Sequence, residues 1–203
     1  MKFLSLLVAI SAFSSIFGDL PEPYQSINIL PFDAHGWFMN SEQMKRLIDD
    51  IQPKVVIEVG SWLGLSTRFI AEHISGKVYA IDTWKGTLNE DVHMKDPRLP
   101  YLYQQFLSNV IHTNLCDKII PIRMESREAA GALNIKADLI YIDASHDEES
   151  VCCDILQWNP HLNENGVLCG DDWCWETVRL GVARAAASLD MDIIAEGNFW
   201  RLK

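Results

Sequence analysis

The sequence lacks the cysteine spacing that builds disulfide scaffolds or structural metal sites. It has five cysteines, and no two of them form a CxxC pair. An odd count without such pairs argues against a disulfide framework and against a structural zinc site. We therefore expect most of them to be small residues of the core. The positions are Cys116, Cys152, Cys153, Cys169 and Cys174.

Positive charge is also scarce. The chain has 17 Lys and Arg residues against 28 Asp and Glu residues, which leaves a formal net charge of -11. Such a chain is poorly suited to bind nucleic acid or an anionic membrane surface, because like charges repel. We expect no nucleic-acid partner, whereas a bound cation could neutralise acidic residues locally. A length of 203 residues suits one domain with a sizeable core.

The apolar run at residues 3–17 is shorter than the ~20 residues that span a bilayer. It follows Lys2 and precedes Gly18 and a polar, proline-bearing stretch. We interpret residues 1–18 as a signal peptide, which would make the protein exported or lumenal. The alternatives are an uncleaved N-terminal anchor, or a mispredicted start ahead of a cytoplasmic domain. Beyond such an anchor we expect no integral membrane span.

Apolar strand patterns alternate with helical patterns from residue 41 onward. The alternation predicts an α/β fold, in which a mostly parallel, Rossmann-like sheet carries helices on both faces. Residues 19–40 are predicted to be an irregular arm or lid ahead of the domain at 41–203. Helices are predicted from residue 41 and over 66–74, 101–112, 125–133, 148–158 and 175–189. Strands are predicted over 55–59, 78–82, 118–122, 137–143 and 166–170, before a closing hairpin of 191–195 with 198–202.

A glycine loop at residues 60–64 joins the first predicted strand to a helix. The loop is not GxGxxG and has no P-loop lysine, so dinucleotides and nucleoside triphosphates are disfavoured. Glycine allows close approach of the backbone, and a helix start offers free N–H groups, which suits a nucleoside cofactor without phosphates. Asp82 ends the next strand, where an acid can accept hydrogen bonds from ribose hydroxyls. The alternative for Asp82 is a helix cap or loop aspartate.

Acidic residues end four of the predicted strands. They are Glu58, Asp82, Asp143 and the pair Asp171 and Asp172. The carboxyl ends of parallel strands meet at one edge of a sheet, where ligands bind. Carboxylates at Asp143, Asp171 and Asp172 would repel one another, and a hard divalent cation such as Mg²⁺ would relieve this. The alternative is that one of them caps a helix and another is solvated.

Four ordered motifs resemble those of class I S-adenosylmethionine-dependent methyltransferases. The closest group includes macrolide-sugar O-methyltransferases and cephalosporin-hydroxylase-like proteins, and the resemblance extends from about Gly36 to the end. The motifs lie at residues 58–67, 80–84, 141–146 and 170–173. The resemblance implies a seven-stranded sheet with an antiparallel last strand, and a catalytic domain at 41–203.

The same resemblance implies the cofactor site. Glu58 and the backbone of residues 60–64 would hold the methionine part of S-adenosylmethionine, Asp82 the ribose, and Ser126 the adenine. The implied cofactor-binding set is Glu58, Gly60, Ser61, Gly64, Ser66, Thr67, Asp82, Thr83 and Ser126. Metal-dependent O-methyltransferases of this fold carry acids where this chain has Asp143, Asp171 and Asp172, which implies Mg²⁺.

His146 is the candidate base. It lies three residues after Asp143, where related catechol-type O-methyltransferases have a lysine that serves as the base. Histidine is a reasonable base near neutral pH, and a metal ligand or a helix-cap residue are the alternatives. His93, in the loop after Asp82, is a candidate substrate contact.

We therefore predict an S-adenosylmethionine- and Mg²⁺-dependent O-methyltransferase that methylates a hydroxyl of a small sugar or phenol-like molecule. Asp143 and His146 would be the catalytic residues, and the arm and the 83–100 loop would close over the substrate. The alternatives are a metal-free methyltransferase with His146 as the sole base, or a non-catalytic cofactor- or partner-binding module on the same fold. A homo-oligomer is left open.

Overall fold

The computed structural model describes residues 20–88 and 90–203. The segment 1–18, interpreted above as a signal peptide or anchor, lies outside these residues, and its interpretation stays a prediction. Across the described part of the chain, no helix combines the length and the apolar character needed to cross a membrane.

One sheet of seven strands organises the described chain. The strands are β1 (Val55–Val59), β2 (Lys77–Asp82), β3 (Ile119–Arg123), β4 (Ala137–Ile142), β5 (Leu162–Gly170), β6 (Ile193–Glu196) and β7 (Phe199–Leu202). Their order across the sheet is β3-β2-β1-β4-β5-β7-β6. The first five strands pair in parallel, and β7 is antiparallel to both β5 and β6. The predicted sheet and its antiparallel last strand are confirmed.

Helices follow the strands as the alternating pattern requires. They are α1 (Ser41–Ile51), α2 (Leu65–His73), α3 (Asp91–Met94), α4 (Leu102–His112), α5 (Ser126–Ala132), α6 (Glu148–Trp158) and α7 (Glu176–Leu189). Single 3₁₀ turns occur at Tyr24–Ser26, Leu99–Tyr101 and Asn159–His161.

The sheet separates two apolar cores. Successive side chains of a strand point to opposite faces, so Val56 of β1 packs against α1, α2 and α4 while its neighbour Ile57 faces α6 and α7. Tyr141 and Ile140 of β4 divide in the same way. Because both faces are covered, β1 and β4 consist almost wholly of apolar residues.

The strand order reverses between β1 and β4. The chain moves outward from β1 to β3 and then returns to place β4 on the other side of β1. Open α/β sheets bind ligands in the crevice that this reversal opens at the carboxyl ends of the strands. The loop after β1 and Asp143 after β4 flank that crevice, since Asp143 N–H donates to Val59 O at 2.8 Å.

Two elements differ from the sequence-based expectation. β5 begins at Leu162 rather than at residue 166, and its pairing with β4 shifts register between Ala137 and Leu139. The 83–100 loop contains the short helix α3 and the Leu99–Tyr101 turn. Both elements are too short or too irregular to be recognised from the periodicity of apolar residues.

The arm at residues 20–40 lies against α4 and β3. Tyr24 Oη donates to Ile119 O at 2.9 Å. Asn109 binds both backbone groups of Asp33, accepting from its N–H at 3.0 Å and donating to its carbonyl at 2.8 Å. The arm then continues to Trp37 beside the loop that follows β1.

Candidate active site

The loop between β1 and α2 requires glycine at two positions. Gly60 has φ +89°, and a Cβ there would lie 1.9 Å from the carbonyl oxygen of Asp143. Gly64 has φ +79°, and a Cβ there would lie 2.9 Å from the Phe106 ring. Any other residue at Gly60 would therefore displace the backbone that carries Asp143.

Glu58 braces this loop from inside the protein. Its side chain is 0% exposed, and its carboxylate accepts hydrogen bonds from Ser61 Oγ at 2.7 Å, Ser66 Oγ at 2.6 Å and Thr67 Oγ1. Burial raises the pKa of Glu58 to about 6, although the three hydroxyl donors act in the opposite direction. The hydroxyls of Ser61, Ser66 and Thr67, three of the predicted cofactor-binding residues, are thus bonded to Glu58.

Asp82 holds the same loop from the end of β2. Its Oδ2 accepts from the N–H groups of Ser61 at 2.9 Å and Trp62 at 2.8 Å, and its Oδ1 accepts from Trp84 N–H at 2.6 Å. Burial raises the pKa of Asp82 despite these bonds. Each carboxylate oxygen has two lone pairs, so the half-buried Asp82 retains acceptor capacity for a ribose hydroxyl. Thr83 Oγ1 accepts from Lys85 N–H at 3.1 Å.

Ser126 stands at the start of α5, where its hydroxyl binds within the protein. It donates to Asp154 Oδ1 at 2.5 Å and accepts from Trp158 Nε1–H at 2.9 Å. The predicted adenine contact would therefore use the backbone of Ser126 rather than its hydroxyl.

Aromatic rings from three segments meet over the loop. His93 of the 83–100 loop stacks on Trp62, with ring centroids 4.5 Å apart and planes 23° apart. Trp37 of the arm lies 5.7 Å from Trp62 and 5.5 Å from His93. The indole N–H of Trp62 is buried without a hydrogen-bond acceptor, which marks a polar group that a ligand could satisfy.

The second half of the site lies at the ends of β4 and β5. Oxygen or nitrogen atoms of Asp143, His146 and Asp172 lie within 4.8 Å of one another. His146 Nε2 is 2.7 Å from Asp172 Oδ2. Burial, followed by the charges of Asp171 and Asp172, raises the pKa of Asp143 well above its usual range. Such mutually repelling carboxylates with a nitrogen donor form a set that a divalent cation can bind.

The structure brings Asp143 and Asp172 of the predicted ligand set together with His146, whereas the Asp171 side chain is bonded within the protein. Its carboxylate accepts from Tyr141 Oη at 2.9 Å and Asn198 Nδ2 at 2.7 Å, and from Asp172 N–H at 2.6 Å. The side chain is 6% exposed and faces the protein interior. His146 occupies the place in the cluster that the sequence assigned to Asp171.

Glu90 is a site residue that the sequence analysis missed. Its Oε1 lies 3.0 Å from His146 Nδ1. Burial lowers the pKa of His146, but Asp172 and Glu90 outweigh it and raise that pKa to about 10. Trp175 completes the surroundings of His146, with its indole 5.1 Å from the imidazole and 51% exposed. No local pattern separates Glu90 from the other polar residues of its loop.

The fold and the site together define a Rossmann-like enzyme that binds a nucleoside cofactor. Residues 57–173, more than half of the chain, match the family model for a methyltransferase domain. The chain belongs to that family and is a class I S-adenosylmethionine-dependent methyltransferase. A comparison with curated protein sequences finds no match.

Solved methyltransferase structures share the fold. SAH-bound PaMTH1 from Podospora anserina is 13% identical over 84% of this chain and 80% of its own, with a TM-score of 0.62. The O-methyltransferase TomG from Streptomyces achromogenes, in complex with SAM, is 12% identical over 85% and 82%, with a TM-score of 0.63. A methyltransferase from Geobacter sulfurreducens is 18% identical over 83% and 79%, with a TM-score of 0.55.

Proposed function

We propose that the protein transfers the methyl group of S-adenosylmethionine to a hydroxyl of a small, uncharged molecule, with a divalent cation at the acceptor side. The observation that carries this proposal is the convergence of Asp143, His146 and Asp172 beside the loop that follows β1. Two halves of a site thus share the crevice at the strand reversal, one suited to a cofactor and one to acid–base chemistry.

The cofactor half would work through the shape of the loop that follows β1. The N–H groups of Gly60, Ser61, Trp62 and Gly64 are bonded within the protein. The loop would therefore contribute its fixed shape and the close approach that its glycines allow, with Glu58 and its hydroxyl donors holding it in place. Asp82 accepts from the ribose, and the Trp62 indole N–H supplies a further donor. S-adenosylmethionine contributes an electrophilic methyl on its sulfonium sulfur, and the loop contributes its position.

The donor set fits a divalent cation held by Asp143 and Asp172, with His146 within reach. Two carboxylates suit Mg²⁺ or Mn²⁺. When bound, the cation supplies positive charge that favours the ionised form of the acceptor hydroxyl.

His146 Nε2 accepts the proton of the acceptor hydroxyl. Without a cation, the carboxylates of Asp172 and Glu90 keep the imidazole protonated, because they raise its pKa to about 10. A protonated imidazole cannot act as a base. A cation held by Asp143 and Asp172 would offset these carboxylates and favour the unprotonated form of Nε2, which disfavours the metal-free alternative with His146 as the sole base.

The substrate is proposed to be a neutral ring that bears a hydroxyl, either sugar or phenol-like. The half-exposed indole of Trp175 borders His146 and offers an apolar face for such a ring. Glu90, Asp143 and Asp172 would repel a phosphate or carboxylate group on the substrate. Trp37 and the 83–100 loop cover the cofactor side and would exclude water from the reaction.

A methyl-transfer assay tests the proposal. Sugars, catechols and simple phenols would be assayed with S-adenosylmethionine in the presence of Mg²⁺, of Mn²⁺, or of excess chelator. We expect transfer that chelator abolishes. Asp143→Ala should lower kcat at least about 100-fold, since charge stabilisation at a metal site contributes several kcal/mol, and should bind S-adenosylmethionine with nearly unchanged affinity in calorimetry.

Asp192→Ala serves as the control, because Asp192 is exposed and lies away from the cluster. Full activity of Asp143→Ala, or full activity in chelator, would contradict the cation role. Activity in chelator that is lost in His146→Gln would favour the metal-free enzyme. The absence of any binding of S-adenosylmethionine in calorimetry would favour a partner-binding module.

A further inference from the structure

Glu90 connects the two halves of the candidate site through two histidines. Its Oε1 lies 3.0 Å from His146 Nδ1, and its Oε2 lies 3.3 Å from His93 Nδ1. The Glu90 side chain is 17% exposed and precedes α3 in the 83–100 loop. The Glu90 carboxylate thus lies next to the Nδ1 atoms of both His146 and His93.

The His146 ring is held at both nitrogens. Nδ1 faces Glu90 and Nε2 faces Asp172, at 3.0 and 2.7 Å. A carboxylate on the second nitrogen of a histidine fixes the ring orientation and determines which nitrogen faces a metal or substrate. Glu90 therefore stands where it can keep Nε2 directed toward Asp143 and Asp172.

Glu90 is also linked to the loop after β1, through His93. His93, its second partner, stacks on Trp62 of the loop after β1 at 4.5 Å. The position of Glu90 consequently follows the position of the cofactor loop.

Burial distinguishes these contacts from the surface ion pairs of the described chain. The side chains of Glu90 and His146 are 17% and 20% exposed, whereas those of Lys95 and Asp91 nearby are 75% and 85% exposed. Exposed pairs contribute little because water and salt screen them. Both Nδ1 atoms are buried and lack an aligned hydrogen-bond partner, and such catalytic contacts commonly align only when ligands bind.

We propose that Glu90 is a positioning residue: it holds His146 through Nδ1 so that Nε2 faces the site formed by Asp143 and Asp172. The inference rests on the proposed function, in which His146 acts at Nε2. It assigns the 83–100 loop a part in arranging the acceptor side, in addition to covering the cofactor.

The test compares Glu90→Ala and Glu90→Gln with Asp91→Ala in the full chain. Asp91 follows Glu90 and is exposed, so its alanine variant controls for loss of one carboxylate at this loop. Calorimetry would measure the binding of Mn²⁺ alone, of Mg²⁺ alone, and of S-adenosylmethionine. Ring ¹⁵N NMR shifts of His146, assigned by their loss in His146→Gln, would report the environment of Nδ1 without any ligand.

We expect Glu90→Ala to weaken binding of the cation about tenfold or more, as loss of such outer partners does, and to move the His146 Nδ1 shift. Glu90→Gln keeps an acceptor oxygen and should restore the shift and most of the affinity. Asp91→Ala should match the wild type, and S-adenosylmethionine should bind all four proteins alike. In an active assay the loss should fall on kcat rather than on the KM for S-adenosylmethionine.

An unchanged Nδ1 shift in Glu90→Ala overturns the inference, as does a loss that Gln fails to restore. If the wild type binds no cation but Glu90→Ala still moves the Nδ1 shift, the cation part of the proposed function fails while the positioning role of Glu90 is supported. The two failures are thereby distinguished.

Discussion

Glu58 illustrates how a single buried carboxylate can hold a loop in place. Three hydroxyl donors surround it, and they offset part of the free-energy cost of burying its charge. The loop backbone is thereby held in the open conformation that Gly60 and Gly64 make possible. Glu58 thus supports the loop that the sequence predicts to hold the cofactor.

Asp154 gives a prediction on pH that follows from the same physics. Burial raises its pKa to about 6 from an ordinary value of 3.8, so the folded state binds a proton more tightly than the unfolded state. Between these values the folded state gains stability as pH falls, and the contribution of this group is lost as pH rises through about 6.

Asp154→Asn removes that dependence. We expect the free energy of unfolding of the variant, relative to wild type, to increase as pH rises from 4 to 7, by up to about 3 kcal/mol. Urea denaturation at several pH values measures this, and the comparison between pH values cancels any constant effect of the new amide. Exposed Asp192→Asn is the control, and a pH-independent difference for Asp154→Asn contradicts the prediction.

Residue identities and spacing predicted where the site lies, but the directions of its side chains could not be predicted from the sequence. Asp171 and Asp172 are adjacent, and Asp172 has φ +63°, a left-handed backbone that the residue pattern does not predict for an aspartate. Which of them turned inward depended on Tyr141 and Asn198, which are distant in sequence. The same holds for Ser61, Ser66 and Thr67, whose hydroxyls reach Glu58.

At the scale of elements, Asn109 of α4 fastens the arm to the cofactor loop. It is 0% exposed, and its Nδ2 donates both to Asp33 O at 2.8 Å and to Leu63 O at 2.9 Å. One side chain therefore joins α4, the arm and the loop after β1. The arm keeps its place through such bonds because it has almost no secondary structure of its own.

Asn109→Ala should therefore loosen the arm and the loop together. We expect a loss of about 2–3 kcal/mol in the free energy of unfolding, since buried backbone groups lose their partners, and weaker binding of S-adenosylmethionine. Denaturation and calorimetry measure the two effects. Gln104→Ala, which removes an exposed contact to Asn28, should have little effect on either, and equal losses in both variants would argue against a specific fastening.

The bounds of helices and strands were predictable where the residue pattern was strong or a capping residue marked the end of the element. The bounds of β1 and α6 match the prediction at both ends, because β1 is a Val- and Ile-rich run and Asp147 caps α6 by accepting from Ser150 N–H at 2.9 Å. β5 was predicted too short, since residues 163–166 have the composition of a turn and the register shift accommodates them. The short helix α3 contains too few residues for a helical period to be visible.

At the scale of the whole molecule, the strand order places the two halves of the site on different supports. The cofactor half rests on β1 and β2, and the acceptor half rests on β4 and β5. On its outer side, β5 pairs with β7. The final hairpin, far from the reacting groups in sequence, thus supports the acidic cluster.

Trp200 of β7 makes that support direct. Its indole is 1% exposed, Nε1–H donates to Asp171 O at 2.7 Å, and a Cβ on Gly170 would lie 2.3 Å from the ring. Trp200→Phe removes the hydrogen bond and leaves a cavity, so we expect a loss of about 2 kcal/mol in stability.

Because Asp171 and Asp172 lie on the segment that Trp200 holds, Trp200→Phe should also weaken binding of Mn²⁺, measured by calorimetry. Binding of S-adenosylmethionine should be unaffected, since β1 and β2 do not contact β7 in the sheet. Ile194→Ala, on the exposed side of the hairpin, controls for general loosening of the edge. If both ligands weaken equally in Trp200→Phe, the sheet responds as one unit, and the two halves of the site are not independently supported.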